Sequence, residues 1–333
     1  MLRALGLLGA LLLLLAAGAG IWGWGAYSRP GPLASTVQVV IPRGGTEAIA
    51  TTLREKGVIA DPRVFAAAAW LTRDEGPLRA GEFAFEPRVT MGEVLALLRE
   101  GRMVQHRVTI PEGLTAWQIT TLLERAEALT GEVPPLQEGA LLPETYTYTR
   151  GDTRGSIVRR ATAAMDQALA EAWAGRAADL PLASPREALV LASIVEEETG
   201  VAAERPMVAG VFVNRLTRGM MLQSDPTVAY GVSQGAPLDR ALTRADLDTP
   251  HPYNTYRIRG LPPGPIASPG RDALRAATRP EATENLYFVA DGLGGHAFAR
   301  TLDEHNRNVA RWREMGRPTP PPPPFSIQGR AAP

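Results

Sequence analysis

The first segment of the chain is apolar throughout. From Ala4 to Tyr27 no residue is charged, and the Leu-rich run is long enough to cross the roughly 30 Å apolar layer of a bilayer. Arg3 adds a small positive bias before this run, so the pattern predicts a transmembrane anchor over residues 1–28, with the rest of the chain outside the cytoplasm. A cleaved signal peptide is the alternative, because Ala17-Gly18-Ala19 resembles a cleavage site.

A short linker over residues 29–36 leads into a region of alternating strand and helix patterns. Three runs predict strands: Val37–Ile41, Glu82–Phe85 and Met103–Ile110, the last of which alternates apolar and polar residues. Three helix starts lie between these runs: Thr46, Asp61-Pro62 and Thr90, the last with a capping box to Glu93 and a stop at Gly101. The pattern predicts a small α+β module over residues 37–111.

A larger region follows over residues 112–316. Helical periodicity predicts four helices in its first part: Ala116–Leu129, Ser156–Trp173, Ser184–Gly200 and Glu204–Thr217. The stretch Leu222–Gly270 is rich in Pro and Gly, and long ordered loops of this kind commonly wall a cleft. A hairpin over 286–299 and a helix capped by Thr301 and Glu304 complete an α+β domain, and residues 317–333 form a predicted Pro-rich disordered tail.

One glutamate of the Ser184–Gly200 helix falls on the apolar face of that helix. Glu198 continues a stripe of apolar residues, whereas Glu196 and Glu197 point elsewhere. The stripe consists of Ala188, Leu191, Ile194 and Val195. A carboxyl group on a buried face, at the negative end of a helix dipole, should have the raised pKa that a general acid near neutral pH requires. Glu198 is the candidate acid, and the alternative is a structural carboxylate paired with an arginine such as Arg215.

Composition and charge exclude several classes of function. The chain is 45% hydrophobic and 21% charged, with a formal net charge of zero and no Lys/Arg run, so nucleic acid is not an expected partner. Cysteine is absent, which fits an exported protein that does not depend on disulfides. The single lysine, Lys56, lies in the small module, which argues against a pyridoxal-phosphate enzyme.

The remaining local motifs are weak. Gly231-Val232-Ser233-Gln234-Gly235 matches the nucleophile elbow of serine hydrolases, but Ala236-Pro237 follows where a helix is required. The four histidines have no metal-ligand spacing, so neither a metal nor another cofactor is expected; His251 and His296 lie near the predicted cleft loops.

Further polar residues are candidates for collaboration with Glu198. Glu144 and Asp225 are carboxylates in loop-like contexts, although each could instead serve as a turn or cap residue. Tyr253 and Asn254 combine an aromatic face with an amide, side chains that suit a sugar ring.

Several sequence blocks together resemble the MltG-type (YceG-like) endolytic murein transglycosylases. The blocks occur in the family's order: LASIVEEET from 191, VFVNRL from 211, LQSDPTVAYG from 222, TPHPYNTY from 249, GLPPGPIASPG from 260 and YFVADGLGGHAF from 287. The LRAGEFAF and TMGEVLALLREG segments resemble that family's LysM-like module, a type associated with glycans containing N-acetylglucosamine. The similarity extends from the anchor through the last helix.

This resemblance implies cleavage of the β-1,4 bond between N-acetylmuramic acid and N-acetylglucosamine in peptidoglycan strands, leaving a 1,6-anhydro end. The family's catalytic acid is the second glutamate of E-x-E-T, which corresponds to Glu198 in this sequence. The resemblance also suggests a peptidoglycan synthase partner, termination of nascent strands, and an inner-membrane anchor that holds the catalytic domain in the periplasm.

The sequence also predicts roles around Glu198 and leaves alternatives. Gln223, Asp225, Tyr253 and Asn254 are predicted to orient the glycan, and Glu144 to form part of the wall. A muramidase-like hydrolase that uses Glu198 with Asp225 is a second hypothesis. A glycan-binding scaffold without activity is the third.

Overall fold

The computed structural model describes residues 2–315, with side chains from residue 9 onward. The predicted tail over 317–333 lies outside the described residues. The first helix is α1 (Leu2–Ser28), and its segment Gly9–Ser28 has the length and apolar character needed to cross a membrane. The rest of the chain is mixed α and β, as the sequence predicts. The chain forms two compact units.

The first unit comprises the chain up to Val108 together with Arg125–Glu132 and Thr145–Ile157. Strands β1 (Val37–Ile41) and β2 (Gly81–Phe85) pair antiparallel. Three helices contribute to the apolar core of this unit: α2 (Thr46–Glu55), α3 (Pro62–Leu71) and α4 (Met91–Glu100). A second, two-stranded sheet contains β3 (His106–Thr109) and β4 (Thr145–Tyr148).

Local sequence signals set the ends of these helices. The Asp61 side chain accepts a hydrogen bond of 2.8 Å from Arg63 N at the start of α3. Thr90 and Glu93 form the predicted capping box of α4, and Gly101 ends that helix in the left-handed conformation, with φ 72°. These two helices begin where the sequence predicts, because their caps use residues adjacent in the chain.

The second unit comprises Thr109–Glu124, Val133–Glu144 and the chain from Val158 onward. Its helices are α5 (Ala116–Glu124), α6 (Arg154–Ala174), α7 (Pro185–Glu198), α8 (Arg205–Thr217), α9 (Asp225–Ser233), α10 (Arg244–Asp248), α11 (Arg271–Thr278) and α12 (Leu302–Met315). The first residues of α6, up to Ile157, belong to the first unit. The predicted hairpin is confirmed as β5 (Tyr287–Ala290) and β6 (His296–Ala299), which pair antiparallel. Helix α7 packs against both α8 and α11, so it lies at the centre of the apolar core of this unit.

Three predicted boundaries were wrong. Helix α5 ends at Glu124 rather than Leu129. In the first unit the Arg154 side chain donates to the carbonyls of Ala126, Leu129 and Gly131, so this segment satisfies its backbone without helix bonds. Strand β3 is shorter than the Met103–Ile110 prediction. Helix α7 ends at Glu198 because Thr199 turns to extended backbone, with φ −143°, so Gly200 is not its stop.

Candidate active site

The sequence around Ser184 fixes the start of helix α7. The Ser184 hydroxyl accepts a hydrogen bond of 3.3 Å from Glu187 N, and Pro185 occupies the first helical turn. The Glu187 carboxylate accepts from Ala183 N at 2.7 Å, whereas a standard capping box would use the N–H of Ser184 itself. The predicted apolar stripe is fully buried, with Ala188, Leu191, Ile194 and Val195 at 0% exposure. Glu198 is the last residue of the helix.

Glu196 is the structural carboxylate of α7. Arg205 Nη2 lies 2.5 Å from Glu196 Oε1, and Gly270 N donates to Oε2 at 2.9 Å. The same Arg205 nitrogen lies 3.0 Å from a carboxylate oxygen of Glu112. Glu196 is 9% exposed, a burial that its helical phase does not predict. A buried carboxylate of this kind is retained only with such partners.

Glu197 lines a groove of about 490 Å³, whose other lining residues include Glu112, Asp225 and Tyr230. The Glu197 side chain lies over the backbone of Gly113, where an added Cβ would be 2.6 Å from its Oε1. Desolvation by the surrounding protein, together with nearby carboxylates, raises the pKa of Glu197 to about 7. The Glu197 side chain is nevertheless exposed, so water screens the charges around it. A raised pKa alone therefore does not distinguish Glu198 from Glu197.

Glu198 differs from its neighbours in the groups that surround it. It is partly buried, and among residues 9–315 no cation lies within 4.0 Å of its carboxyl in an ion pair. Burial raises its pKa to about 7; Ser224, His296 and Arg215 oppose the rise, and Asp225 adds to it. A carboxyl group with this pKa is partly protonated at neutral pH, so Glu198 can act as a proton donor.

Arg215 is occupied by backbone carbonyls rather than by Glu198. Its Nε donates to Leu286 O at 2.6 Å, and its Nη1 donates to Leu222 O at 2.7 Å. The guanidinium also lies 5.1 Å from the centre of the Tyr287 ring. The sequence left open an ion pair between Arg215 and Glu198. The structure instead pairs a different arginine, Arg205, with a different glutamate, Glu196.

A histidine that acts on Glu198 is held by a carboxylate. Glu204 Oε2 is 2.7 Å from His296 Nδ1, and Glu204 Oε1 accepts from His296 N at 2.9 Å. These two bonds fix the orientation of the imidazole. A protonated His296 lowers the pKa of Glu198, so the hairpin contributes to the electrostatic environment of the candidate acid. Neither Glu204 nor its bond to His296 has a local sequence signal.

Buried hydroxyls hold the loop that carries Ser224. Thr227 Oγ1 donates to Ser224 O at 2.7 Å, and Ser224 N donates to Thr255 Oγ1 at 2.9 Å. The Tyr256 hydroxyl donates to Asp225 Oδ1 at 2.7 Å. Asp225 is exposed at the first position of α9 and acts electrostatically on Glu198. The structure therefore places Asp225 where its charge acts on Glu198, and the predicted role of Asp225 toward the glycan stays a prediction. Ser224 and Tyr256, which act on Glu198 and Asp225, were not among the predicted site residues.

The other residues predicted to contact the glycan occupy different settings. Gln223 is exposed, with a positive φ of 52°, and its Oε1 lies 3.4 Å from Arg215 Nη1. Tyr253 packs on Tyr230, with ring centres 4.8 Å apart. Asn254 is 1% exposed, and its amide donates to the carbonyls of three residues: Asp246, Leu247 and Thr249. These are the bonds of a residue that holds a loop in place.

Glu144 lies in an ion pair at the surface. Its Oε1 is 3.0 Å from Arg271 Nε, and both side chains are substantially exposed. Glu144 is not among the charged groups that shift the pKa of Glu198. The predicted wall role of Glu144 stays a prediction.

The G-x-S-x-G segment does not form a nucleophile elbow. Ser233 is the last residue of α9, and Gln234 adopts the left-handed conformation, with φ 53°. The serine therefore follows a helix instead of preceding one. Lys56 lies at the end of α2 in the first unit.

A YceG-like family profile matches residues 39–311. The chain belongs to the YceG-like family. It is 30% identical over 309 residues to an endolytic murein transglycosylase of Bacillus subtilis strain 168, covering 82% of this chain and 84% of the relative. It is 31% identical to the enzyme of that name from Streptococcus pneumoniae D39, covering 82% of this chain and 58% of the longer relative.

A solved structure of a yceG-like protein from Listeria monocytogenes is also similar. Its TM-score is 0.51 at 30% sequence identity, and the match covers 82% of this chain and 99% of that one. The relatives of this YceG-like chain are thus named endolytic murein transglycosylases, and its mixed α+β architecture agrees with the structure of a yceG-like protein.

Proposed function

We propose that this YceG-like protein is an endolytic peptidoglycan lytic transglycosylase with Glu198 as its catalytic acid. The observation that carries the proposal is the setting of Glu198. It ends a buried helix face, has no ion-pair partner among residues 9–315, and has its pKa raised to about 7 by burial. The names of the relatives support peptidoglycan as the substrate.

The proposed cleavage takes place at the β-1,4 bond between N-acetylmuramic acid and N-acetylglucosamine. Protonated Glu198 donates its proton to the glycosidic oxygen as the bond to C1 breaks, which leaves oxocarbenium-like charge at C1. The Glu198 carboxylate then takes the proton of the muramoyl C6 hydroxyl as that oxygen bonds to C1. The product has a 1,6-anhydro end, and Glu198 is protonated again without water entering the reaction.

We assign substrate contacts to exposed polar and aromatic groups of the second unit, among them Asp225, which lines the same groove as Glu197. Asp225 and Gln223 are exposed and present polar atoms to a sugar, while Tyr253 offers an aromatic face. Asn254 acts in this proposal by holding its loop, since its amide is occupied by carbonyls. Glu144 is proposed as a wall residue at the Arg271 ion pair.

The remaining parts of the chain are proposed to place the enzyme at its substrate. Segment Gly9–Ser28 would anchor the chain once in the inner membrane, with the catalytic unit in the periplasm. The antiparallel β1–β2 pair with its helices is proposed as a LysM-like glycan-binding module. Association with a peptidoglycan synthase and termination of nascent strands belong to the same proposal.

Product analysis tests this function. Purified peptidoglycan is digested with the full chain in detergent, with Glu198→Gln and with Glu197→Gln, and the fragments are analysed by mass spectrometry. Wild type and Glu197→Gln should release anhydro-muropeptides, and Glu198→Gln should release none. Glu197→Gln makes the same chemical change at the adjacent residue. Anhydro product from Glu198→Gln would contradict the assigned role.

The position of Asp225 keeps a muramidase-like hydrolase as the second candidate, because two carboxylates near one glycosidic bond can activate water. Hydrolysis leaves a reducing end, which is heavier than the anhydro end by one water. Reducing ends that disappear in Asp225→Asn would favour this alternative. Binding to sacculi without any product would favour the scaffold hypothesis.

A further inference from the structure

Ser224 carries a buried hydroxyl that has no hydrogen-bond partner within residues 9–315. The residue is 1% exposed, and Ser224 Oγ meets no donor or acceptor in standard geometry. Most buried side-chain polar atoms in folded proteins are paired, so an unpaired one calls for a physical reason.

The fold fixes Ser224 through its backbone and leaves the hydroxyl unused. Ser224 N donates to Thr255 Oγ1 at 2.9 Å, and Ser224 O accepts from Thr227 Oγ1 at 2.7 Å. Thr227 Oγ1 and Thr255 Oγ1 are 2.8 Å apart, so the two threonines brace each other. Ser224 occupies the N-cap position of α9, yet its side chain makes no capping bond. The hydroxyl therefore serves neither the loop nor the helix.

The Glu198 carboxyl lies close enough to this hydroxyl for Ser224 to lower the pKa of Glu198, although no hydrogen bond of standard geometry joins the two residues. Charged or titratable groups from several elements act on the same carboxyl: Glu197 of α7, Arg215 of α8, Asp225 of α9, His296 of β6 and Tyr256 of the loop after α10. Ser224 is a neutral donor in this set.

We propose that Ser224 is a positioning residue that holds the Glu198 carboxylate after the acid has given up its proton. This inference rests on the proposed function. When the Glu198 proton passes to the glycosidic oxygen, the carboxylate gains a negative charge, and Ser224 Oγ–H donates to one of its oxygens. The Ser224 proton is not transferred. When the C6 hydroxyl returns a proton to Glu198, the hydrogen bond loses its charge assistance. Hydrogen bonds to an ionised acceptor are the stronger kind, so the bond acts mainly when the charge is present.

The test compares Ser224→Ala with Ser193→Ala in the full chain. Ser193 is a matched control because it is buried in the same unit, at 0% exposure, with its hydroxyl fully used. Ser193 Oγ donates to Val190 O at 2.8 Å and accepts from Ile266 N at 3.1 Å. Rates of product release are measured across pH, and thermal unfolding is measured on the same samples.

Ser224→Ala should lower kcat by about 10- to 100-fold with little change in KM, as expected for a lost hydrogen bond to a charged group. The alkaline limb of its pH-rate profile should move to higher pH, because the charged form of Glu198 has lost a donor. Its Tm should not fall, because removing an unpaired buried hydroxyl leaves no partner unsatisfied. Ser193→Ala should lower Tm and leave the limb in place. Ser224→Thr, which keeps a hydroxyl, should keep the wild-type limb.

Two outcomes would overturn the inference. One is an unchanged kcat and limb in Ser224→Ala; the other is a loss of Tm that matches Ser193→Ala and accounts for all the lost activity. If Glu198→Gln is inactive while Ser224→Ala behaves as wild type, only this inference fails. If Glu198→Gln remains active, the proposed function itself fails.

Discussion

Arg205 Nη2 lies 2.5 Å from Glu196 Oε1, within the second unit, and this pair distinguishes the glutamates of α7. The guanidinium neutralises the buried Glu196, while Gly270 N satisfies its other oxygen. Glu198, two residues later, has no such cation among residues 9–315 and keeps a pKa of about 7. One helix thus carries a carboxylate that is structural and another that is available for proton transfer.

Loss of the Arg205 cation should destabilise the second unit. Arg205→Leu leaves Glu196 buried without its partner, so we expect the free energy of unfolding to fall by about 3–5 kcal/mol. Glu112→Gln removes only the more exposed carboxylate at the same arginine and should cost less than about 1 kcal/mol. Thermal and denaturant unfolding of the two variants provide the measurement. Equal losses would show that the burial of Glu196 is not the source of the effect.

The stability of the wild type should fall as pH rises because of Glu198. Its folded pKa, about 7, lies above the ordinary value of 4.5, so the folded state binds more protons between these pH values. The stabilising contribution of the protonated form is complete below about pH 4.5 and is lost as pH rises through about 7. Glu198→Gln has no ionisable group at this position and should not lose this contribution. We expect the free energy of unfolding of Glu198→Gln to exceed that of the wild type by about 1–3 kcal/mol at pH 8, measured by unfolding at each pH.

Parallel stability curves for wild type and Glu198→Gln would contradict this expectation. Such a result would mean that the two states of Glu198 are equally well accommodated by the fold, and the proposed acid would then lack its raised pKa.

The pH-rate profile should respond to Asp225 in a defined direction. Activity requires protonated Glu198, so the rate should fall as pH rises through about 7. The negative charge of Asp225 raises the pKa of Glu198, and Asp225→Asn should therefore move the alkaline limb of kcat to lower pH. Ser224→Ala should move the limb the other way. A limb that stays in place in Asp225→Asn would show that the two carboxylates do not interact.

Variants at Asn254 and Gln223 should distinguish a residue that supports a loop from a residue that contacts the substrate. Asn254→Ala removes the donors to three carbonyls in a buried setting, so both Tm and activity should fall. Gln223→Ala removes an exposed side chain, so KM should rise with little change in Tm. Steady-state kinetics and thermal unfolding of both variants distinguish the two roles. A raised KM with an unchanged Tm in Asn254→Ala would return Asn254 to the set of glycan contacts.

Much of the candidate site could be predicted because its signals are local. Ser184 and Pro185 specify where α7 begins, and the apolar stripe specifies which face is buried. The same helical phase places Glu198, the last residue of α7, on that face. The hairpin β5–β6 likewise follows from alternating residues around a Gly-rich turn. Periodicity did not predict the burial of Glu196, because that burial depends on Arg205 and on the backbone of Gly270.

Neighbouring residues specify the helix starts at Asp61, Thr90 and Ser184 and the helical phase of Glu198, since caps, periodicity and turns are local properties. Tertiary structure alone decided which groups surround the carboxyl. Ser224 and His296 lie far from Glu198 in the chain, and packing of the loops and the hairpin brings them to it. A pKa depends on burial and on nearby charges in space, so the chemistry of Glu198 could not be obtained from its helix alone.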